Sequence, residues 1–357
     1  HDNDPAYDSV ILHVVEKDDA PVFRTNGERI PQMVMHCSPQ FNKQYSELVN
    51  AKVELPCKRC ISNLSSIEKA GWIQSMSLER LIAKGKRIEA YLDSYRGDWE
   101  SVCFITLARA LGFGTNSDPF ERLAKSLPLS MMHKHSDSIF QLEALLFGQA
   151  GLLDEPQKGT GDRYYEQLCK EYSFLKSKYS LRQPEGMVWK AFRMRPQNFP
   201  WRRIALLAHY VENGFRLFSD ILDSNGDEDS LRKLFQVNLT GYWNNHYTFF
   251  RESEESSAAL GKSSIDIILI NMVAPLYYIY GSHVGDYDKV QTAIDLLEKL
   301  KPESNRIVGL FTSAGMKIDS ALASQATIQI YNEYCIPKKC IFCKIGRKLL
   351  REANVKQ

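Results

Sequence analysis

The spacing of apolar residues over most of the chain constrains the fold more than any other feature. From about Ser66 onward, apolar residues recur three and four positions apart, as in Leu78, Leu81 and Ile82 followed by Ile88. This spacing places them on one face of an α-helix, where they can pack against a core. Glycine and proline separate successive segments of this kind. The sequence therefore predicts a large, mostly α-helical body.

Two short runs near the start of the chain are typical of β-strands. Residues 10–15 read Val-Ile-Leu-His-Val-Val, and residues 30–35 form a second apolar run. Asn26-Gly27 lies between them, a pair that favours a tight turn between two strands. We therefore expect two strands joined by a tight turn. The predicted fold class is α+β, with a small N-terminal β-sheet followed by a large, mostly α-helical body.

The composition changes at two places and predicts three parts. A β-rich N-terminal segment is expected over residues 1–60, because the helical spacing begins soon after Pro56. A helical domain of residues 61–334 follows. A break near Pro337 separates a short tail, residues 335–357, that is rich in cysteine and basic residues.

The charge balance excludes one class of function. The chain carries 45 basic and 43 acidic residues, which gives a formal net charge of +2. A chain so nearly neutral lacks the bulk affinity for polyanions that a histone-like protein has. Contact with DNA or RNA would therefore have to come from a local basic patch.

The cellular location is predicted from three further features. The most apolar stretch, residues 265–280, is about sixteen residues long and is interrupted by Asp266, Asn271 and Pro275, so it is short for a membrane span. A secretory signal has a basic segment followed by an apolar one, and the first residues of this chain do not show that pattern. Eight cysteines in 357 residues are too few for a secreted disulfide scaffold. We expect a cytoplasmic protein with no membrane partner.

The sharpest chemical signal is a cluster of cysteines near the C-terminal end. Cys335, Cys340 and Cys343 follow the spacing Cys-x4-Cys-x2-Cys. Thiolates are soft ligands, and a gap of two residues lets one turn direct two sulfurs at the same ion or cluster. A fourth ligand is expected from Cys57 or, as the second choice, from Cys60 in Pro-Cys-Lys-Arg-Cys. The predicted metal ligands are therefore Cys57, Cys335, Cys340 and Cys343.

Two structural cofactors fit this set, and a third interpretation needs none. Four thiolates bind zinc in structural sites, and the same spacing occurs in the plant-type ferredoxin run that binds an iron–sulfur cluster. The negative charge of either centre could be offset by Lys58, Arg59, Lys338, Lys339, Lys344, Arg347 and Lys348. The alternative is three reduced structural thiols in a basic tail. The single cysteines, Cys37, Cys103 and Cys169, lie among apolar residues and are expected to be buried.

A segment in the middle of the chain combines basic and aromatic residues. Residues 187–211 contain no acidic side chain. Lys190, Arg193, Arg195, Arg202 and Arg203 alternate here with Trp189, Phe192, Phe199 and Trp201. Guanidinium groups bind phosphates and aromatic faces stack on bases, so the pattern predicts a surface for single-stranded DNA or RNA. The alternative is a helix that begins at Pro200, with Ile204 and Leu207 in a core and the arginines in solvent or paired with carboxylates.

Longer motifs relate the chain to a known family. They are residues 4–15, Glu143-Ala-Leu-Leu-Phe-Gly-Gln-Ala-Gly151, residues 195–205, Tyr242-Trp-Asn-Asn-His-Tyr247 and the cysteine run of residues 335–346. Together they resemble domain-of-unknown-function family 2851, an uncharacterised bacterial family. The resemblance covers nearly the whole chain and implies no activity by itself.

The resemblance implies a more distant relationship. Members of the family extend further at the N-terminus, with a Gly-Pro-Asp-Phe segment and a Val-Glu-Ile-His strand. These acidic positions resemble the core of PD-(D/E)XK nucleases, where carboxylates hold magnesium for phosphodiester hydrolysis. On this comparison, Mg would be bound upstream of His1. Some nucleases of that fold also join their ends through an iron–sulfur cluster with one early cysteine and three late ones.

Asp4 and His13 are the catalytic candidates that this comparison leaves in the chain. His13 alternates with Leu12 and Val14, so its side chain should lie on the opposite face of the strand, with those of Ile11 and Val15. We expect Asp4 and His13 to point toward the edge where an upstream strand would pair, as part of a polar site. The alternative is a core histidine with satisfied hydrogen bonds.

Two functions from different classes follow from these features. The first is a nucleic-acid-processing protein of nuclease type, with a helical body that holds DNA or RNA and a structural cysteine-bound metal. The second is a non-catalytic helical scaffold or interaction protein whose metal closes the fold. An acidic residue and a Glu-x-Lys or Glu-x-His strand upstream of His1 would favour the first.

Overall fold

The computed structural model of the chain describes residues 4–36, 38–153, 161–212, 214–254 and 259–352. It is 62% helical and 4% strand, so the predicted α+β class with a helical body is confirmed. The chain divides into two compact units. The first comprises His1–Trp72, Arg306–Lys317 and Thr327–Gln357, and the second comprises Ile73–Asn305 and Ile318–Ala326. The N-terminal segment and the cysteine-rich tail, expected as separate parts, thus both belong to the first unit.

The described residues form seventeen α-helices, which range from 4 to 29 residues in length. In chain order they are α1 (Pro39–Asn50), α2 (Lys58–Ser62), α3 (Ser66–Ser94), α4 (Trp99–Leu111), α5 (Ser117–Ser126), α6 (Leu129–Met132), α7 (Ile139–Gln149), α8 (Arg163–Tyr179), α9 (Pro200–Val211), α10 (Leu217–Asp223), α11 (Glu228–Leu234), α12 (Lys262–Ile268), α13 (Ala274–Val284), α14 (Tyr287–Lys299), α15 (Arg306–Thr312), α16 (Ala321–Ile330) and α17 (Lys344–Glu352). Side-chain caps begin several of them. Asp98 accepts a hydrogen bond from the backbone N–H of Ser101 at 3.1 Å, and Asp162 accepts one from that of Tyr165 at 3.1 Å.

The N-terminal strands differ from the expected hairpin. β1 (His13–Val15) and β2 (Gln32–Val34) pair in parallel. The Asn-Gly turn does form, with Gly27 at φ 81°, but it joins its own short flanks through an antiparallel bridge between Phe23 and Arg29. The chain therefore reverses once before this turn and once within it, and β2 runs in the same direction as β1. The second sheet, β3 (His246–Thr248) with β4 (Arg251–Glu252), is antiparallel.

Apolar side chains from both ends of the chain form the core of the first unit. Ile30, Ile61 and Ile345 are at most 2% exposed. Trp72 packs edge-on against Phe311 of α15, with ring centroids 6.4 Å apart. Burial of each such side chain contributes about 1.5–3 kcal/mol. In the same unit, α17 of the tail contacts α1 and α2.

The second unit has the larger core. Helices α4, α7 and α9 are buried over most of their length. α9 begins at Pro200 and buries Ile204 and Leu207 completely, which confirms the helix expected there. Cys103 is fully buried and Cys169 is partly buried. Cys37, the other single cysteine, lies outside the described residues.

One helical stretch is longer than the sequence indicated. Lys262–Val284, of 23 residues, comprises α12, a π-helical turn and α13, and by length and composition it could cross a membrane. Its most apolar window has a mean hydropathy of 1.4, but 67% of that window is buried inside the protein. Core helices of globular proteins meet the same criteria, so this stretch is weak support for a membrane span.

Two π-helical turns precede prolines. Leu269–Val273 joins α12 to α13, and Tyr331–Cys335 extends α16. Pro275 and Pro337 each follow two residues later. Because proline has no N–H, the carbonyl four residues before it loses its usual α-helical partner, which favours a wider turn. Each turn supplies a residue that lines a cavity: Asn271 in the first turn and Cys335 at the end of the second.

Candidate metal centre

The four cysteines predicted as metal ligands all belong to the first unit. Cys57 directly precedes α2, and Cys335 is the last residue of the π-helical turn that extends α16. Cys340 begins a short 3₁₀ turn, and Cys343 follows that turn and precedes α17. Each cysteine therefore lies at the end of a helical element.

These four residues line one small cavity and are named here the cysteine centre. The cavity has a volume of about 30 Å³, and all four cysteines are partly buried around it. The rest of its wall is formed by Leu48, Pro56, Tyr334, Lys338 and Gly346. Cys60 is not part of the wall, so of the two early candidates the structure brings Cys57 to the three late cysteines.

Burial and mutual repulsion both oppose ionisation of these thiols. Burial is the main cause that raises the pKa of Cys57, and the charges of Cys335, Cys343 and Cys340 raise it further. Burial, with the charges of Cys343 and Cys340, raises the pKa of Cys335 to about 12. The four groups are thus close enough for their charges to interact. Since the thiolate is the ligating form, a bound cation would be needed to compensate such charges.

The cofactor of the cysteine centre stays a prediction. Among the residues that the structure describes, no group of three His, Cys, Asp or Glu side chains could hold a metal ion. Sulfurs around a tetrahedral zinc lie about 2.3 Å from the ion and hence about 3.8 Å from one another. Sulfurs that bind the separate irons of a cluster lie further apart. The four cysteines line one cavity, and both zinc and an iron–sulfur cluster stay predictions for it.

Gly346 and Lys338 shape the wall of the centre. A Cβ atom at Gly346 would lie 2.0 Å from the carbonyl oxygen of Cys340, so a glycine is required for α17 to approach that turn. Lys338 has a left-handed backbone, with φ 56°, and its Nζ donates to the carbonyl of Ala51 at 3.4 Å. Its positive charge partly opposes the rise in the pKa of Cys340 that burial causes.

A groove of about 850 Å³ lies along α17 and is named here the basic groove. Its basic residues are Lys344, Arg347, Lys348 and Arg351, and its apolar wall includes Leu64, Ile67 and Trp72. Glu68 also lines the groove and pairs with Lys348. Phe342, in the turn that leads into α17, is 69% exposed. The groove therefore has a positive surplus, with an exposed aromatic ring nearby in sequence.

The two catalytic candidates have separate local roles. Asp4 is exposed and caps a 3₁₀ turn, where it accepts a hydrogen bond from the backbone N–H of Ala6 at 3.0 Å. His13 and Val15 are partly buried and Val14 is exposed, as the strand alternation predicts, but Ile11, expected on the same face as His13, precedes the strand and is 83% exposed. The Nδ1 atom of His13 is buried without a hydrogen-bond partner. No hydrogen bond joins Asp4 to His13, both of which are described, so a shared polar site stays a prediction.

The basic residues of segment 187–211 do not form one surface. Those exposed to solvent are Lys190, Arg193 and Arg195. Arg202 and Arg203 of α9 are only 2% and 3% exposed. The Cζ atom of Arg202 lies 4.8 Å from the ring centroid of Tyr247, and that of Arg203 lies 4.7 Å from that of Phe113. These two arginines cannot share an exposed phosphate-binding surface with the other three, because α9 is enclosed by the core.

A buried polar network in the second unit was missed by the sequence reasoning. The Tyr164 hydroxyl donates to the carboxylate of Glu143, which is 2% exposed. Tyr164 stacks on Tyr242 with centroids 4.5 Å apart, and the Tyr242 hydroxyl donates to Asp162 at 2.5 Å. Glu143 and Tyr242 begin two of the motifs that carry the family resemblance. Their place in those motifs was the signal that could have indicated this network.

Glu143→Gln is expected to change how stability depends on pH. Burial raises the pKa of Glu143 from 4.5 to about 7, although the hydrogen bond from Tyr164 opposes the rise. Between these values the folded state keeps a proton that the unfolded state has lost. The wild-type protein should therefore lose up to about 3 kcal/mol of stability as pH rises from 4.5 to 7.

The glutamine variant should lack this loss, as measured by urea unfolding at acidic and neutral pH. Glu298→Gln, which changes an exposed carboxylate of α14, is the control and should keep the wild-type pH dependence. Parallel pH profiles for wild type and Glu143→Gln would contradict the raised pKa.

These features define a helical protein of two units with a cysteine centre beside a basic groove. The chain belongs to the family described as Protein of unknown function (DUF2851), whose sequence model matches residues 1–306. The matched region includes Cys57 and ends before the three late cysteines. Comparisons with curated proteins and with solved structures found no match.

Proposed function

We propose that the protein binds nucleic acid in the basic groove and that an iron–sulfur cluster at the cysteine centre holds this groove in shape. The observation that carries the proposal is the position of Cys343. It lines the cysteine centre and directly precedes α17, the helix that supplies the basic residues of the groove. A ligand bond at Cys343 would fix the first turn of that helix.

The cysteine centre supports an iron–sulfur cluster as the bound group. Its four thiols come from two segments separated by roughly 280 residues, and they line one cavity. The late cysteines have the Cys-x4-Cys-x2-Cys spacing of the plant-type ferredoxin run, which binds such a cluster. A cluster with four thiolates is negatively charged, and Lys338 in the cavity wall would offset part of that charge.

The basic groove supports a nucleic acid as the partner. Residues 344, 347, 348 and 351 are spaced so that they lie on one face of α17. Such a row can follow the phosphates of a strand, and the exposed ring of Phe342 can stack on a base. Because the whole chain is nearly neutral, binding of a polyanion requires a concentrated patch of this kind.

Hydrolysis is not part of the proposal. Nuclease chemistry of the expected type needs several carboxylates around magnesium. The described residues bring no such group together. Catalysis of this type would therefore depend on residues beyond those that the structure describes.

The double variant Arg347→Glu with Arg351→Glu is expected to weaken binding of a single-stranded oligonucleotide by about tenfold or more at low salt. Both side chains are exposed, so the fold should be retained. Loss of two phosphate contacts should also reduce the slope of log affinity against log salt by about 1.4. Fluorescence anisotropy over a series of salt concentrations measures both quantities.

Lys43→Glu with Lys52→Glu is the matched control for charge. Both lysines are exposed in the first unit and neither lines the groove. This control should bind nearly as the wild type does. If the wild-type protein shows no salt-dependent binding at low ionic strength, nucleic-acid binding is refuted. A metal-containing protein with that result would favour the alternative, a helical interaction protein closed by a structural centre.

A further inference from the structure

The second unit contains a cavity of about 570 Å³ with a basic lining that the proposed function does not use. Arg80, Lys84, Arg87 and Tyr91 line it from one face of α3, where their spacing is i, i+4, i+7 and i+11. The other walls come from α4, the loop that follows it, and the π-helical turn between α12 and α13.

Lys84 joins α3 to that π-helical turn. Its Nζ donates to the Oδ1 atom of Asn271 at 2.8 Å, to the carbonyl of Ile270 at 3.4 Å, and to the side-chain oxygen of Gln325. Arg80 Nε donates to the same Gln325 oxygen at 3.3 Å. The acceptors of these hydrogen bonds are amide and peptide oxygens, which carry no net charge. Burial, and then the charge of Arg80, lower the pKa of Lys84 to about 7.

The lining has a surplus of positive charge. Glu303 is the acidic residue among the described residues of the lining, and its carboxylate accepts a hydrogen bond from Gln325. Arg109 also lines the cavity, but it pairs with Asp118 at 2.7 Å and with Glu121 at 2.6 Å. Arg80, Arg87 and Lys84, the last about half protonated at pH 7, stand against one carboxylate, so these residues carry between about one and two positive charges in excess at neutral pH.

Arg87 contributes a group that is available to a ligand. It is exposed, and within the described part of the chain its side chain makes no hydrogen bond or ion pair. Tyr91 is 6% exposed, and its hydroxyl lies near the carboxylate of Glu121. Burial and that carboxylate raise the pKa of Tyr91, so the hydroxyl keeps its proton.

From this lining we propose that the cavity binds the phosphate group of a phosphate monoester, with Arg80, Lys84 and Arg87 as cationic contacts. A monoester carries a charge of about −1.5 to −2 at neutral pH, which matches the surplus. The volume lies within the range of about 300–1,000 Å³ that is usual for small-molecule sites, so the cavity also has room for the organic part. This site is independent of the cysteine centre and of the basic groove.

Isothermal titration of the full chain with adenosine monophosphate and with ribose phosphate tests the proposal. Adenosine and ribose serve as probes without a phosphate. Both phosphates should bind with a submillimolar Kd, and the two unphosphorylated probes should not. If the nucleotide binds more tightly than the sugar phosphate, the cavity also recognises the base. If the two bind equally, it recognises the phosphate alone.

Arg87→Gln should weaken phosphate binding by about tenfold, because it removes one charge-assisted contact. Lys86→Gln, which changes an exposed lysine of the same helix outside the cavity lining, should change it less than about twofold. A thermal unfolding curve checks that each variant folds. No binding of either phosphate at millimolar concentration, or an unchanged affinity in Arg87→Gln, would overturn the proposal.

Discussion

Protein purified without oxygen is expected to be brown and to contain about four irons and four acid-labile sulfides per chain, and Cys335→Ser should lose them. Cys335 lines the cavity together with Cys57, Cys340 and Cys343, so its replacement leaves three thiolate ligands. Serine changes the side-chain volume little and provides no soft ligand. Iron and sulfide analysis, with the visible absorption spectrum, measures the effect.

Cys60→Ser is the matched control. Cys60 lies only three residues after Cys57 but does not line the cavity, so its replacement should leave the iron content unchanged. About one zinc per chain, lost in Cys335→Ser, would identify the centre as a zinc site. Absence of both metals after anaerobic purification and reconstitution would show that these are ordinary thiols.

Loss of the centre should also loosen the first unit. A metal bond between Cys57 and the late cysteines closes a loop of roughly 280 residues, and closing a long loop removes much of the freedom of the unfolded chain. Hydrogen exchange in α2 and α17 should therefore be faster in Cys335→Ser than in Cys60→Ser.

Gly346→Ala is expected to destabilise the first unit by about 2–3 kcal/mol and to lower its metal content. The added Cβ would lie 2.0 Å from the carbonyl oxygen and 2.8 Å from the carbonyl carbon of Cys340. These are backbone atoms, so either α17 or the Cys340 turn would have to move. Either movement displaces a cysteine that lines the cysteine centre. Denaturant unfolding and metal analysis of the same preparation measure the two effects.

Gly309→Ala provides the comparison. Gly309 lies in α15 of the same unit, and a Cβ there meets no atom within 4 Å. Alanine in an open helical position should be neutral or should stabilise the protein by up to about 1 kcal/mol. Equal stability of Gly346→Ala and Gly309→Ala would refute the close approach of α17 to the Cys340 turn.

Helix formation was predictable from the sequence because its signals are local. The apolar spacing after Ser66 predicts a helical body, and Pro200 predicts the start of α9, where the structure has it. The Asn26-Gly27 turn forms for the same reason, since its backbone preference belongs to the two residues themselves. These two residues do not determine the direction in which β1 and β2 pair. That direction depends on the path of the whole segment between the two strands, and the structure has a parallel pair where a hairpin was expected.

The same distinction between local sequence signals and the fold applies to the candidate sites. The spacing of Cys335, Cys340 and Cys343 is local, so the sequence alone could propose a shared ligand set. The sequence named Cys57 as the fourth ligand with Cys60 as the second choice, and in the fold Cys57 lines the cavity while Cys60 does not. The burial of Arg202 and Arg203 likewise depends on what surrounds α9 rather than on α9 itself.

By itself, the sequence determined the helices, the turns and the cysteine spacing, all of which are set by residues within a few positions of one another. Only the tertiary structure decided that the tail joins the N-terminal segment in one unit, and that Arg80, Lys84 and Arg87 share a cavity with Asn271. These contacts join residues more than 180 positions apart. Side chains so distant are brought together by the packing of whole apolar faces, and the sequence pattern of a single helix does not specify which face it meets.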